Sequence, residues 1–571
     1  GQRARLRTGD PPTNRTRGLF WIVLALACLG PSVAAADELL LDSTFETLSS
    51  PEPAWIASDS ARVEAEGGVL HVRSGGGFLL VSQDVDVRGL GRSRLLEWSC
   101  DVELVRLASG RGAWISLQFS DAHERRLGTR TSDILAMPHI PLRLVARTLV
   151  PEGTRRASVV LVTHGDTEAV FQSPAAELRE SPAPPVWEGA GPVVLTEGPS
   201  VPGRWLGLGL SVDAAGMEAG RVRMATPRVL RALVPWSILS TSGPPDLAAL
   251  GPMVTAISKM APGERHVILV PSGGDASHYT DPLRAAAALR FLVDAVRQEL
   301  DTRGEGAEIR WYVSPATRPD ALQHLDLMHY RDCIEELAPI LPADVPLAGP
   351  FESAGSLWTE SLREVFLARG SLLASDVTIP RRDLALAPAD LESRALSGVE
   401  LCVVDVTTDH PDAAPYLGSP RNHLDAFAVL FAAARAGIRI PMLAHSLTPP
   451  ASVVTPLFRA ARAGPVAATL ASPEGAALSG LVVREPVENI VALLLLNQGL
   501  EALSVDIQVD FGATERQLKR TEMLESSGLQ ATESEVRVLQ GKLADVVPGS
   551  SLVIYDTRLQ SATPAPGGAA P

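Results

Sequence analysis

Residues 398–449 constrain this chain more than any other stretch. They hold two short apolar runs separated by an amphipathic helix, with polar residues gathered past each run. The first run, Val399-Glu400-Leu401-Cys402-Val403-Val404-Asp405-Val406-Thr407-Thr408-Asp409-His410, reads as a buried strand that ends in a carboxylate and a polar loop. Across residues 422–436, Leu424, Phe427, Ala428, Phe431 and Ala432 recur at helical spacing, and Gly437 stops the pattern. Residues 438–446 supply the second strand. Strand, helix and strand in this order predict a parallel β/α unit, whose chemistry gathers where the strands end.

The alternation extends upstream. Residues 247–260 read as a helix, His266-Val267-Ile268-Leu269-Val270 as a buried strand and residues 282–300 as an amphipathic helix. Glu308-Ile309-Arg310-Trp311-Tyr312-Val313 is another strand, and the pattern continues through 357–369 and 373–379. An α/β domain with a parallel sheet is expected over residues 236–470. That span, roughly 235 residues, is slightly below the usual size of a (β/α)8 barrel, so the expectation is a reduced barrel trimmed on its N-terminal side.

A chain of 571 residues is too long for one core, so several domains are expected. A formal charge of −15 argues against nucleic acid and anionic membrane surfaces as partners. Residues 1–36 read as a signal peptide. Five arginines from Arg3 to Arg17 precede the apolar run 19–29, and Ala34-Ala35-Ala36 offers a cleavage site before Asp37. The run is too short to span a bilayer, so the expected location is secreted or periplasmic. Cys28 is the alternative, as a lipid acceptor. Cys100, Cys333 and Cys402 then remain, an odd and widely spaced set that fits buried single thiols.

Residues 38–232 read as an all-β sandwich. Trp98, Cys100, Val102 and Leu104 alternate with polar residues, as do Ile115, Leu117 and Phe119, and Gly67-Gly68 and Gly75-Gly76-Gly77 mark turns. Residues 158–174 and 208–227 echo one another weakly, and residues 181–187 read as a Pro-rich loop or linker. Residues 478–558 are β again, as a small C-terminal sandwich, with Leu503, Val505, Ile507 and Val509 alternating with polar residues; the Pro/Gly/Ala-rich tail 561–571 reads as disordered.

Residues 151–161 resemble the late strands of jelly-roll carbohydrate-binding modules. In such a module exposed aromatics form the sugar platform; Trp55, Trp98 and Trp114 are available, and each equally fits the core of an alternating strand. The order of barrel then sandwich, the turn Val547-Pro548-Gly549-Ser550-Ser551 before the final strand, and Gly349-Pro350 followed by Trp358, Leu362 and Phe366 resemble secreted retaining glycoside hydrolases of the large (β/α)8 clan. Arabinofuranosidases, β-xylosidases and heparanase-like glucuronidases are members. The resemblance covers residues 240–555 and implies a polysaccharide or glycoconjugate partner and no cofactor.

In that clan a strand-four motif ending Asn-Glu carries the acid/base and a strand-seven Glu is the nucleophile. The resemblance places Asp405 at the strand-seven position and Ser272-Gly273 at the strand-four position, with Asp275 two residues on and Glu352 as a third carboxylate. Retaining hydrolysis needs two carboxyls about 5 to 5.5 Å apart. The missing strand-four Glu therefore predicts lost or weakened catalysis, with an active pair of Asp405 and Asp275 or Glu352 as the alternative and a non-catalytic envelope scaffold as another. His278, Tyr279, Trp311 and His445 would suit a sugar cleft.

Each residue also has a plainer reading. Asp405 and Asp275 serve equally as turn or helix caps. Asp409, His410 and Asp412 fall in one short loop without a second cluster at ligand spacing, so no metal is expected. No phosphate loop, Gly-x-Ser-x-Gly elbow or Cys-x-x-Cys pair occurs.

Overall fold

The computed structural model describes residues 37–557 except 86, 88–93, 133, 137, 140, 152, 181–190, 201–205, 214–221, 223–224, 240–246, 273–281, 306–307, 315–326, 354–356, 368–369, 408–417, 445–450, 462–465, 472–476, 486–489 and 512–514. The expected signal segment with Cys28, the Pro-rich linker and the C-terminal tail lie outside the described residues.

The N-terminal part is antiparallel. Of three long strands, Val69–Val85, Arg94–Ser120 and Arg156–Glu180, the last lies between the other two and pairs with both, and shorter strands flank them. Register shifts after Gly75 and around Ser109 and Gly112 divide these strands into halves whose inward side chains share one core, including Trp55, Trp98, Cys100, Ile115, Phe119 and Phe171. The crossing of Gly110 and Gly165 permits nothing larger. A Cβ on Gly165, at φ +89°, would lie 2.0 Å from the Ser109 carbonyl oxygen.

Eight parallel strands follow: β1 (Gly209–Asp213), β2 (Val229–Pro235), β3 (Arg265–Ser272), β4 (Ile309–Val313), β5 (Ala348–Ser353), β6 (Leu372–Pro380), β7 (Leu401–Thr407) and β8 (Ile440–Leu443). They pair in sequence, β8 pairs with β1, and a parallel bridge from Val313 to Leu347 joins β4 to β5, so the ring is closed. Following register partners once around from Thr378, and extending ladders by up to two residues where they stop, returns to Gly370. The offset from 378 to 370 is the shear of eight of a (β/α)8 barrel. The barrel is complete, not trimmed.

This corrects the expected boundaries. Residues 209–213 and 229–235 are the first two barrel strands, and Val193–Ser200 joins the C-terminal sheet, pairing antiparallel with Val466–Ala471 and parallel with Leu503–Gln508. Six of the seven side chains from Val229 to Val234 and Pro235 read as one apolar run, the mark of a strand covered on both faces. The weak echo between 158–174 and 208–227 is not a structural repeat, since its halves lie in different sheets.

Helices α1 (Leu247–Ser258), α2 (Pro282–Thr302), α3 (Leu327–Ile340), α4 (Leu357–Leu367), α5 (Ala387–Leu396), α6 (Pro420–Arg435) and α7 (Ala451–Ala461) cover the ring. Their apolar sides and the outward strand residues form one core, which continues into the C-terminal sheet through Leu481, Leu494, Leu552 and Ile554. A separate core inside that sheet holds Tyr555, whose hydroxyl donates to Asp545 Oδ2 (2.7 Å). Cys100 and Cys402 are buried free thiols, and burial pushes Cys402 up to about 12.

The N-terminal sandwich grips the turn Arg381–Leu386 that follows β6. The Thr148 hydroxyl and the Leu149 N–H donate to Asp383 Oδ1 (2.9 and 3.3 Å), Arg382 Nε donates to Thr148 Oγ1 (2.9 Å), and Arg147 pairs with Asp390 (2.8 Å). Burial raises the Asp383 pKa against the opposing Arg382 charge.

Two outcomes follow. Gly165→Ala should lower stability by on the order of 2 kcal/mol or more, seen as a lower thermal midpoint by circular dichroism. Because the folded pKa of Asp383 is raised, its contribution is fullest at low pH and is lost as pH rises through that pKa. Calorimetry should therefore show Asp383→Asn melting above wild type near pH 8, with the gap closing toward about pH 4.

Candidate functional site at the barrel mouth

Side chains of a barrel strand alternate between the inside of the ring and the helices. On β7, Leu401 and Val403 belong to the inner core, and Cys402, Val404 and Val406 to the outer one. Asp405 therefore lies on the inner face, half-buried, two residues from the strand's C-terminal end. Its register partner on β6 is Thr378.

One inward position below Thr378 is Asp376, and it is not free. Arg231 Nη1, reaching from β2, donates to Asp376 Oδ1 at 3.0 Å, with both side chains almost wholly buried. The guanidinium carbon stands 4.1 Å from the centre of the Phe351 ring. Phe351 occupies the bulge of β5 at φ +56°, a left-handed conformation that costs a bulky residue and turns its ring into the inner core. Deeper in the ring, the Tyr312 and His266 rings stack at 5.9 Å, with the hydroxyl 3.4 Å from Nδ1.

The end of β7 is held from behind. Ser419 caps α6 by accepting from the Asn422 N–H (3.2 Å), and Asn422 Nδ2 donates to the carbonyl of Val406, the residue after Asp405 (3.0 Å). One turn on, the buried Asp425 meets Arg421 (3.1 Å) and Arg381 of the turn after β6 (3.5 Å). His423 between them is buried, which pushes its pKa down to about 4 and keeps it neutral at neutral pH.

The expected site residues distribute as follows. Asp405 faces the ring. Glu352 lies on β5 beyond the bulge, in register with Ser375; its side chain is not among those described. Asp275, His278, Tyr279 and His445 lie outside the described residues, as do Asp409, His410 and Asp412. Trp311 is corrected: it points outward into the helix-side core, with Arg297 of α2 at 5.7 Å from its ring, so it cannot line a cleft inside the ring. Its neighbour Tyr312 takes the inner face instead.

The strand numbering is corrected as well. Ser272 ends the third strand, and the fourth ends at Val313, followed by the fully buried Ser314. Of the three tryptophans considered as a sugar platform, Trp55 and Trp98 are in the sandwich core, while Trp114 lies on the opposite sheet face. The sequence reasoning missed Arg231 and Asp376, although each is a lone charge inside an apolar strand, and opposite buried charges must find one another. Among the described residues, no group of His, Cys, Asp and Glu could hold a metal ion, and no helix is long and apolar enough to cross a membrane.

Removing one member of the buried pair leaves an uncompensated charge. Arg231→Met or Asp376→Leu alone should cost about 3 to 5 kcal/mol, and the double variant much less than their sum, measured by urea denaturation as a double-mutant cycle.

No protein-family model matches the chain, and no curated protein matches it. Among solved structures, a GH30 endoxylanase from Clostridium papyrosolvens is similar at 12% identity and a TM-score of 0.47, over 65% of this chain and 100% of that one. A GH39 β-xylosidase from Caulobacter crescentus stands at 12% and 0.44, over 65% of this chain and 100% of its own. An arabinose-bound GH51 α-L-arabinofuranosidase spans 91% of this chain and 94% of its own, at 11% identity and a TM-score of 0.38.

Proposed function

We propose that this is a secreted, glycoside-hydrolase-like protein that recognises polysaccharide at the mouth of its barrel, with hydrolysis weak or lost. The observation that carries the reading is the unequal furnishing of two strand ends. β7 brings Asp405 to the inner face near the mouth, where a strand-seven nucleophile would stand in the clan the sequence resembles. β4, where that clan keeps its acid/base, ends in Tyr312-Val313-Ser314 without a carboxyl group.

The chemistry follows from that imbalance. A carboxylate alone is able to attack an anomeric carbon, but an ordinary sugar leaving group departs only when its oxygen is protonated, a contribution of about 10² to 10⁴ in rate. Asp376, one inward position below Thr378, the register partner of Asp405, is committed to its buried ion pair with Arg231. Aryl glycosides with good leaving groups need little protonation and remain substrates for Asp405 alone.

The test compares natural oligosaccharides with nitrophenyl glycosides in wild type, Asp405→Asn, Asp275→Asn and Glu352→Gln. Expected are polysaccharide binding without turnover of natural glycosides, and slow aryl-glycoside cleavage that Asp405→Asn abolishes. Rapid hydrolysis of natural glycosides that Asp275→Asn or Glu352→Gln removes would establish an intact carboxylate pair instead. No glycan binding by any form would leave a scaffold.

A further inference from the structure

The N-terminal sheet has a second face that its core does not use. On it, in register, lie Phe78 beside His164, Leu80 beside Val162 and Trp114, and Ser82 beside Val160 and Ser116. Ile56 pairs with Ser82 and shares the face. Trp114, Val160 and Val162 form a small buried cluster closed on one side by Ile134. Phe78 and Ile56 stand out from it, each 61% exposed, with Leu80 at 36% between them.

Phe78 is braced rather than loose. Its ring meets the Trp114 ring edge-on at 6.0 Å and the His164 imidazole at 4.4 Å. His164 Nδ1 accepts from the Arg111 N–H at 3.2 Å; burial, and then the Arg111 charge, lower its pKa, so it is neutral at neutral pH. Gly112 beside it has no room for a side chain, because a Cβ there would meet the Leu135 carbonyl oxygen at 2.1 Å. An exposed aromatic ring is thus fixed in orientation on a rigid sheet.

What surrounds the ring selects the occupant. Farther along the same rows are Ser82, Ser158, Gln118 and Thr129. The carboxylate in these rows, Asp84, is already neutralised by Arg156 (2.6 Å) and accepts from the Ser158 hydroxyl (2.6 Å). A row of apolar groups beside hydroxyls and an amide, with its carboxylate ion-paired and Arg126 Nε donating to Thr129 Oγ1 (2.6 Å) at the far end, matches a ligand that has apolar C–H faces and a hydroxyl rim. Three exposed apolar side chains fall well short of the roughly 800 Å² that each partner of a stable protein interface covers.

We propose that Phe78, braced by Trp114 and His164, is a stacking platform for a ring of a neutral polysaccharide, a glycan contact separate from the barrel mouth. The inference rests on the reading of the chain as a polysaccharide-recognising protein, and it assigns part of that recognition to the sandwich.

Affinity electrophoresis of the full chain in gels containing xylan, arabinoxylan or mixed-linkage β-glucan tests it. Wild type and Asp405→Asn should be retarded alike in at least one gel, Phe78→Ala should need about tenfold more polysaccharide for the same retardation, and Phe78→Trp should restore it. Equal retardation of Phe78→Ala and wild type would remove the platform while leaving the barrel reading standing. Absence of retardation for wild type in every gel would overturn both. Sedimentation velocity adds a further arm: a wild-type dimer that Phe78→Ala converts to monomer would make this face a self-association surface and overturn the proposal.

Discussion

Closing eight parallel strands into a ring removes every sheet edge and divides each strand's side chains between two cores. The inner core is too narrow for much beyond side chains, and this chain fills its lower part with Tyr312, Val229, Leu372 and Ile440. Above them it places not another aliphatic layer but Arg231, Asp376 and Phe351. Taking two charges out of water is expensive, and the pair is tolerable because the guanidinium meets a carboxylate on one side and an aromatic face on the other. The pair ties β2 to β6 across the ring directly under the mouth, so the floor of the candidate site is a fixed polar object.

The walls of the mouth are tied to both flanking domains. Thr148 of the N-terminal sandwich holds the turn after β6, and Arg147 holds Asp390 on α5, the helix that follows it. Arg381 of that turn reaches Asp425 on α6, and Asn422 of the same helix holds the Val406 carbonyl next to Asp405. On the far side of α6, Arg421 approaches Glu525 of the C-terminal sheet at 3.5 Å. A chain of polar contacts, buried at Asp383, Asn422 and Asp425, therefore runs from the N-terminal domain through the end of β7 to the C-terminal sheet. The N-terminal sandwich is built into the barrel rim, not merely tethered to it.

Much of this was legible locally. The apolar runs 266–270, 309–313 and 401–407 are strands, the 282–300 and 422–436 stripes are helices, and the parallel order followed from their alternation. Asp405 was legible as a polar residue at a strand end. What misled was membership. Residues 209–213 and 229–235 have strand composition and follow a β domain, so they read as its continuation; the near-continuous apolar run of 229–235 was the one local sign of a strand covered on both faces, and the five residues 209–213 are too short to carry one. That error placed the barrel's start two strands late.

Periodicity by itself determined which segments are strands or helices, that Trp311 and Tyr312 face opposite ways, and that Arg231 and Asp376 are lone charges among apolar neighbours. Only the tertiary structure decided which of Trp311 and Tyr312 looks into the ring, that Arg231 and Asp376 meet although 145 residues separate them, and that Val193–Ser200 crosses to a sheet completed some 270 residues later. The reason is physical. A side chain's direction along a strand is set by its own backbone, but which side becomes the interior is set by hydrogen-bonded neighbours that the local sequence does not name.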